Sequence, residues 1–154
     1  MNQLIVACDP GLRSGACGVI DIHGKFISSF DIPSEGDRIN VRPFKLLMGL
    51  YIPLGTWVDF VVEDVHSMPG QGLVSTFRFG RATGAIEAVC ELFPNSAMHF
   101  VSPRQWKKEM GLSSDKQQSI DMARSLWPDA KLYLKRHHGQ GEALLMAEWF
   151  RRSL

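Results

Sequence analysis

Residues 3–11 read QLIVACDPG, a nearly continuous apolar run that stops abruptly, and this stretch decides the fold. Short apolar runs bounded by turn residues are typical of strands that are buried on both faces of a sheet. Asp9-Pro10-Gly11 supplies the turn signal, so we expect Asp9 at the carboxyl end of a central strand. The segment VDFVVE at residues 58–63 repeats the pattern and also ends on a carboxylate, Glu63.

The flanking segments predict further strands and several helices. Residues 15–22 and 25–32 are strand-like and are separated by His23-Gly24, which is typical of a short hairpin connection. Ser102 before Pro103, and Ser114 three residues before Gln117, are predicted helix N-caps. The remaining elements are predicted as a loop at 33–43, a strand at 97–101 and helices at 44–52, 73–93 and 139–152. Two further helices are predicted between them: one begins at residue 103, and the other follows Ser114 and ends at residue 127. This order indicates an α/β fold, with a mixed β-sheet flanked by helices.

Composition bounds the class of protein. The chain has 154 residues, 45% of them hydrophobic, which fits a single domain over residues 1–154 with one well-packed core. Its three cysteines are widely spaced among apolar residues, which indicates reduced, buried thiols and a cytosolic compartment. The N-terminus lacks a basic signal-peptide region, and no apolar run approaches the roughly 18 residues of a membrane span. We therefore expect a cytoplasmic protein with no membrane partner.

The charges are distributed unevenly along the chain. Residues 1–100 contain 7 Lys and Arg against 10 Asp and Glu, whereas residues 101–154 contain 10 against 6. An acidic half could hold cations and a basic half could hold phosphates. Ordinary scatter of surface charge accounts for the same numbers equally well.

Three carboxylates form the candidate catalytic set. Asp9 and Glu63 end predicted strands, and Glu142 lies on the last predicted helix. Hydrolysis of a phosphodiester with two metal ions needs several hard oxygen ligands around ions about 3.5–4 Å apart. Spacing alone also fits solvated turn residues, which is the commoner role of carboxylates at strand ends.

A series of short motifs runs in uninterrupted order over residues 4–152. They are IVACDPG at 5–11, FVVEDV at 60–65, MPGQG at 68–72, FGRATG at 79–84, PRQWKK at 103–108, GLS at 111–113, DK at 115–116 and EALL at 142–145. Together they resemble the RuvC-type Holliday-junction resolvases of the RNase H-like superfamily, and the motifs between 68 and 116 resemble its phage and prophage branch. Each motif alone is modest, whereas the ordered set is specific.

The resemblance implies an activity and a site. It implies a homodimeric endonuclease that nicks opposed strands of a four-way DNA junction and leaves 5′-phosphate and 3′-hydroxyl ends. Asp9, Glu63 and Glu142 would be ligands of two Mg²⁺ ions, with Mn²⁺ accepted. The predicted helix 73–93, with Gly80 and Gly84 on one face, would form the dimer interface.

A fourth acidic ligand of the family is missing here. The family places an aspartate three to five residues before the position of Glu142, where this chain reads HHGQG at 137–141. His138 could take that place, because it stands four residues before Glu142 on one side of an extended helix. His137 and a solvated turn pair with no catalytic role remain alternatives. Imidazole suits Mg²⁺ less well than oxygen does.

Basic and apolar residues supply the expected DNA contacts. Lys107 and Lys116 match lysines that contact DNA in the family, and Arg104, Lys108, Arg78 and Arg81 are further candidates. Contacts of this kind go to phosphates and fix position without reading sequence. Met68 and Phe79 could wedge between bases, or could pack in the core. The four tryptophans, Trp106 among them, are interpreted as core or interface residues.

Two further functions stay open. One is a phage-type nuclease with broader specificity for branched DNA such as forks and flaps. The other is a junction-binding protein with weak cleavage, which the missing fourth carboxylate favours. A sugar-kinase or actin-like ATPase is excluded, because that fold needs two such domains and this chain has room for one.

Overall fold

A five-stranded mixed sheet forms the centre of the computed structural model, which describes residues 2–11 and 15–154. The strands are β1 (Gln3–Asp9), β2 (Ala16–Asp21), β3 (Phe26–Asp31), β4 (Ser34–Glu35), β5 (Arg38–Ile39), β6 (Trp57–Glu63) and β7 (Ser96–Val101). The sheet has the order β3-β2-β1-β6-β7, and β4 and β5 form a separate small hairpin. β1 pairs with β2 in antiparallel and with β6 in parallel orientation, which confirms the predicted mixed sheet.

Helices cover both faces of this sheet. They are α1 (Val41–Tyr51), α2 (Leu73–Glu91), α3 (Pro103–Glu109), α4 (Lys116–Leu126) and α5 (His138–Ser153), with short 3₁₀ turns at Pro128–Ala130 and Lys135–His137. In the part of the chain that the structure describes, none of these helices is long and apolar enough to cross a membrane.

Two apolar clusters pack on opposite faces of the sheet. Because side chains alternate along a strand, Val6 and Cys8 join the cluster with α1 and α2, whereas Ile5 and Ala7 join the cluster with α3, α4 and α5. β1 is therefore buried on both sides, which explains its unbroken apolar run. The cysteines are buried and unbridged, as predicted, and Cys8 Sγ lies 3.3 Å from Cys17 Sγ across the β1–β2 pair.

Several predicted boundaries are corrected by local chemistry. α1 begins at Val41 rather than at residue 44, because Pro43 falls in the first turn, where no backbone N–H is needed. The predicted loop at 33–43 contains the β4–β5 hairpin, with Gly36 at φ +59°. Ser102 caps α3 as predicted, but the cap of α4 is Asp115 and not Ser114, since the Asp115 carboxylate accepts from the Gln117 N–H at 2.9 Å.

Close contact between β2 and α5 depends on Gly18. A Cβ added at this position would lie 2.5 Å from the backbone nitrogen of Leu144 and 2.8 Å from its Cα. A side chain here would therefore push α5 away from the sheet. α5 carries Glu142, so the same contact sets how closely that carboxylate approaches the strand ends.

Gly18→Ala should destabilise the protein by about 1–3 kcal/mol, because the added methyl group overpacks a backbone–backbone contact. Gly49→Ala is the matched control. Gly49 lies inside α1 with nothing within 4 Å of an added Cβ, so this change should stabilise by about 0.5–1 kcal/mol. Urea unfolding of both variants measures the difference, and equal effects would contradict the close packing of α5 on β2.

Candidate active site

The carboxyl ends of β1 and β6 bring two predicted ligands together. The strands are parallel neighbours with Cys8 opposite Val62, so Asp9 and Glu63 are the next residues at the same edge of the sheet. α5 packs across β1 and β2 and contributes Glu142 from its second turn. Three elements that are distant in sequence thus converge on one acidic cluster, which we define as Asp9, Glu63 and Glu142.

Glu63 and Glu142 lie close enough to Asp9 to shift its pKa. Burial raises the pKa of Asp9 well above its ordinary value, and the negative charges of Glu63 and Glu142 raise it further. Burial is also the main cause of the raised pKa of Glu63, which is only 9% exposed. Lys107 acts in the opposite direction on the pKa of both groups. The cluster therefore has an excess of buried negative charge.

Adjacent residues of α3 hold two of the three carboxylates. The Trp106 indole N–H donates to Glu63 Oε1 at 3.0 Å, and Lys107 Nζ donates to Glu142 Oε1 at 2.8 Å. The Ser119 hydroxyl of α4 donates to the same Glu142 oxygen at 3.3 Å. Sequence reasoning treated Trp106 as a core or interface residue and did not identify Ser119. A buried tryptophan needs a partner for its N–H, but the sequence does not reveal which one.

The chemistry of the donors fits a hard divalent cation. Carboxylate oxygens are the ligands that Mg²⁺ prefers, and a cation would neutralise the charge that raises the pKa of Asp9. Over residues 2–11 and 15–154, however, no three His, Cys, Asp or Glu side chains are close enough to hold one ion jointly. The ammonium group of Lys107 forms an ion pair with Glu142 instead. To bind the cation, Glu142 would exchange its contact with Lys107 for one with the metal.

His138 is the first residue of α5, one turn before Glu142. Its Nδ1 lies 3.1 Å from the Lys135 carbonyl oxygen, which can only accept, so Nδ1 carries a proton; in the neutral imidazole Nε2 is then an acceptor. Metal-ligating histidines commonly have such a partner. The ring, however, lines a neighbouring cleft with Lys116, Gln117 and Ile120. His138 as the fourth ligand therefore stays a prediction.

His137 is held within its own turn. Its Nδ1 accepts from the Leu134 backbone N–H at 3.4 Å. The geometry therefore does not support the alternative in which His137 is the ligand.

Four of the predicted DNA-binding residues line one cleft. They are Arg104, Lys107, Lys108 and Lys116, and Glu142 lines the same cleft. A basic surface therefore reaches the acidic cluster at Glu142. A basic cleft of this kind can hold phosphates beside the carboxylates.

The other two candidates, Arg81 and Arg78, lie elsewhere on the molecule. Arg81 is the better placed of the two for a contact within the chain. It pairs with the Asp37 carboxylate at 3.0 Å, and it also donates to the Asp37 carbonyl at 2.9 Å. Arg78 reaches the same carboxylate at 3.3 Å. Both arginines fasten α2 to the β4–β5 hairpin, and their role in DNA binding has no geometric support.

The segment before α2 and the first half of α2 expose apolar side chains. Met68 is 70% exposed, which excludes the alternative that it packs in the core of this chain. Phe79 is half-buried, and Leu73, Val74 and Phe77 are exposed. Gly80 and Gly84 have nothing within 4 Å of an added Cβ, so their side of α2 is open.

Two solved structures of RuvC from Thermus thermophilus share this fold. One is described as RuvC in complex with Holliday junction substrate, and it superposes with a TM-score of 0.70 at 14% sequence identity. The other, described as the Thermus thermophilus RuvC structure, gives a TM-score of 0.67 at 15% identity. Both alignments cover 97% of this chain and 96% of the other. The likeness establishes a RuvC-like, RNase H-like fold.

Comparison of the sequence alone finds less. No protein-family model and no curated protein matches the chain.

Trp106→Phe should raise the pKa of Glu63 further, because the variant loses an N–H donor that stabilises the ionised carboxylate. An NMR titration of the Glu63 carboxyl carbon, without divalent ions, measures this shift. Trp149→Phe is the control, since it removes an indole donor from a carboxylate outside the cluster, Glu109, at 2.6 Å. An unchanged titration of Glu63 in Trp106→Phe would contradict the role of this bond.

Proposed function

We propose that this protein is a metal-dependent, structure-selective DNA endonuclease that nicks opposed strands of four-way junctions by hydrolysing phosphodiester bonds. One observation carries the proposal: a cleft lined by Arg104, Lys107, Lys108 and Lys116 opens onto the acidic cluster. The fold lends support, because a protein of the same fold has been solved with a Holliday junction. We also propose membership of the phage and prophage branch and action in the host cytoplasm.

Each part of the site has a role in this proposal. Asp9, Glu63 and Glu142 hold divalent cations, Mg²⁺ or Mn²⁺, which when bound activate water and stabilise the leaving oxygen. Trp106 fixes the orientation of Glu63 through its N–H. The exposed Arg104, Lys108 and Lys116 hold phosphates of the DNA backbone.

Lys107 contacts the acidic cluster and also lines the basic cleft. It pairs with Glu142 in the absence of a cation and faces the basic cleft as well. A cation held by Glu142 would replace Lys107 there, and the Lys107 ammonium group would then be free to contact a phosphate in the cleft. The charge on Glu142 is compensated throughout.

Cutting opposed strands needs two sites, so we propose a homodimer with a two-fold axis. The open side of α2 suits such an interface, because it exposes Leu73, Val74 and Phe77 beside two glycines that permit close approach. Product ends with 5′-phosphate and 3′-hydroxyl groups belong to the same proposal. Exposed Met68 is available as a wedge between bases of an opened junction.

A second candidate is a junction-binding protein with weak cleavage. It is favoured by the absence of a carboxylate at residues 137–141 and by the ion pair that Lys107 makes with Glu142. Broader cleavage of forks and flaps is the remaining alternative. Nicking assays on matched four-way, fork, flap and linear DNA, each in Mg²⁺ and in Mn²⁺, separate the three.

Glu63→Gln should reduce nicking of a four-way junction at least about 100-fold, because even the loss of a partner that supports a metal ligand costs 10–100-fold. The change is nearly isosteric, so the fold and junction binding should persist. Asp64→Asn is the control: it neutralises the next carboxylate, which is half-exposed and contacts His66 at 3.4 Å rather than the cluster. Cleavage by Glu63→Gln at the rate of Asp64→Asn would overturn the assignment of the active site.

His138→Ala should lose most cleavage with either ion if His138 is the fourth ligand. His138→Asp should then shift the preference from Mn²⁺ toward Mg²⁺, because oxygen suits Mg²⁺ better than imidazole does. Nicking rates over a titration of each ion measure this preference. His23→Ala, in the exposed β2–β3 turn, serves as the control. Normal cleavage by His138→Ala would exclude the ligand role, and His137→Ala would be tested next.

A further inference from the structure

A second basic cleft lies beside the one that opens onto the acidic cluster. It is formed between the first turns of α4 and the 3₁₀ turn at Lys135–His137. Its lining residues are Lys116, Gln117, Ile120, Lys135, Arg136 and His138. No acidic side chain is among them, so every charged side chain of this lining is basic.

The basic residues of this protein divide into two groups. Arg78, Arg81, Arg124, Arg151 and Arg152 each form an ion pair with a carboxylate. By contrast, Lys116, Lys135 and Arg136 are exposed and have no ion pair with any described residue. Their charges do not serve to hold the fold together. A cluster of uncompensated charge repels itself unless an anion occupies it.

Lys116 connects the two clefts, because it lines both of them. The positive surface therefore continues from the acidic cluster, past the start of α4, to Lys135 and Arg136. A ligand that follows this surface must carry regularly repeated negative charge and must extend well beyond the cleavage point. The phosphate backbone of DNA has both properties.

We propose that the second cleft binds backbone phosphates of a DNA arm that leaves the cleavage point, with Lys135 and Arg136 as the main contacts. This inference rests on the proposed function, since the DNA is the substrate cut at the acidic cluster. Because such contacts go to phosphates, the cleft positions the arm without reading its sequence. It lengthens the bound segment and helps to fix which phosphate reaches the acidic cluster.

The test is the salt dependence of DNA binding by the double variant Lys135→Gln/Arg136→Gln. Binding to a four-way junction and to a linear duplex is measured by fluorescence anisotropy without divalent ions, so that no cleavage occurs. Log affinity falls as log salt rises, and each lost phosphate contact should make this negative slope shallower by about 0.7–0.9. The expected result on the junction is weaker binding with a shallower salt dependence.

The control is the double variant Lys25→Gln/Lys131→Gln, which removes the same charge from exposed residues. These residues lie at the end of the sheet away from the acidic cluster. There the indole N–H of Trp127 donates to the Gly24 carbonyl oxygen and ties the region of Lys131 to the β2–β3 turn. This control should keep the wild-type slope. An equal slope in both double variants and the wild type would overturn the inference.

The outcomes also separate this inference from the proposed function. If the wild type does not nick any branched DNA but its binding slope still falls in Lys135→Gln/Arg136→Gln, the phosphate-binding cleft stands and the nuclease proposal fails. If the wild type nicks four-way junctions and the slope is unchanged, only the second cleft is rejected.

Discussion

The side-by-side burial of Asp9 and Glu63 is the constraint on which the structure around them depends. Parallel pairing of β1 and β6 puts both carboxylates at one edge, where burial and like charge raise the pKa of Asp9. Unpaired buried charge is expensive, so neighbouring groups must compensate it. The Trp106 N–H on Glu63 and the Lys107 ammonium on Glu142 do so without a metal. These two contacts hold Glu63 and Glu142 in place.

Packing of α5 on the sheet face that also carries α3 serves the same site. Gly18 lets α5 approach β2 at backbone contact distance, and α5 then presents Glu142 next to the strand ends. α3 is capped by Ser102 and starts directly after β7, so its Trp106 and Lys107 reach Glu63 and Glu142. The basic cleft is lined by α3, by Lys116 at the start of α4 and by Glu142 of α5, so the phosphates it would hold lie beside that carboxylate.

Local sequence patterns predicted the sheet, the strand-end carboxylates and the caps of α3, because each depends on neighbouring residues. They did not predict which partner a side chain finds across the fold. Trp106 looked like an ordinary core residue, although its N–H binds Glu63, 43 residues away. The pairing of Arg81 with Asp37 in the β4–β5 hairpin was likewise not predicted. The resemblance to RuvC-type resolvases agreed with the observed fold, whereas the fourth ligand near His138 depends on side-chain placement that no pattern specifies.

The most direct test of the central claim is a crystal structure of the protein with Mn²⁺, analysed by anomalous scattering. We expect an anomalous peak at the carboxyl ends of β1 and β6, in contact with Asp9 and Glu63, with Glu142 turned from Lys107 toward the metal. Contact of His138 Nε2 with that peak would decide the fourth ligand in the same experiment. The absence of a peak at the acidic cluster, at Mn²⁺ concentrations that support nicking, would contradict the account.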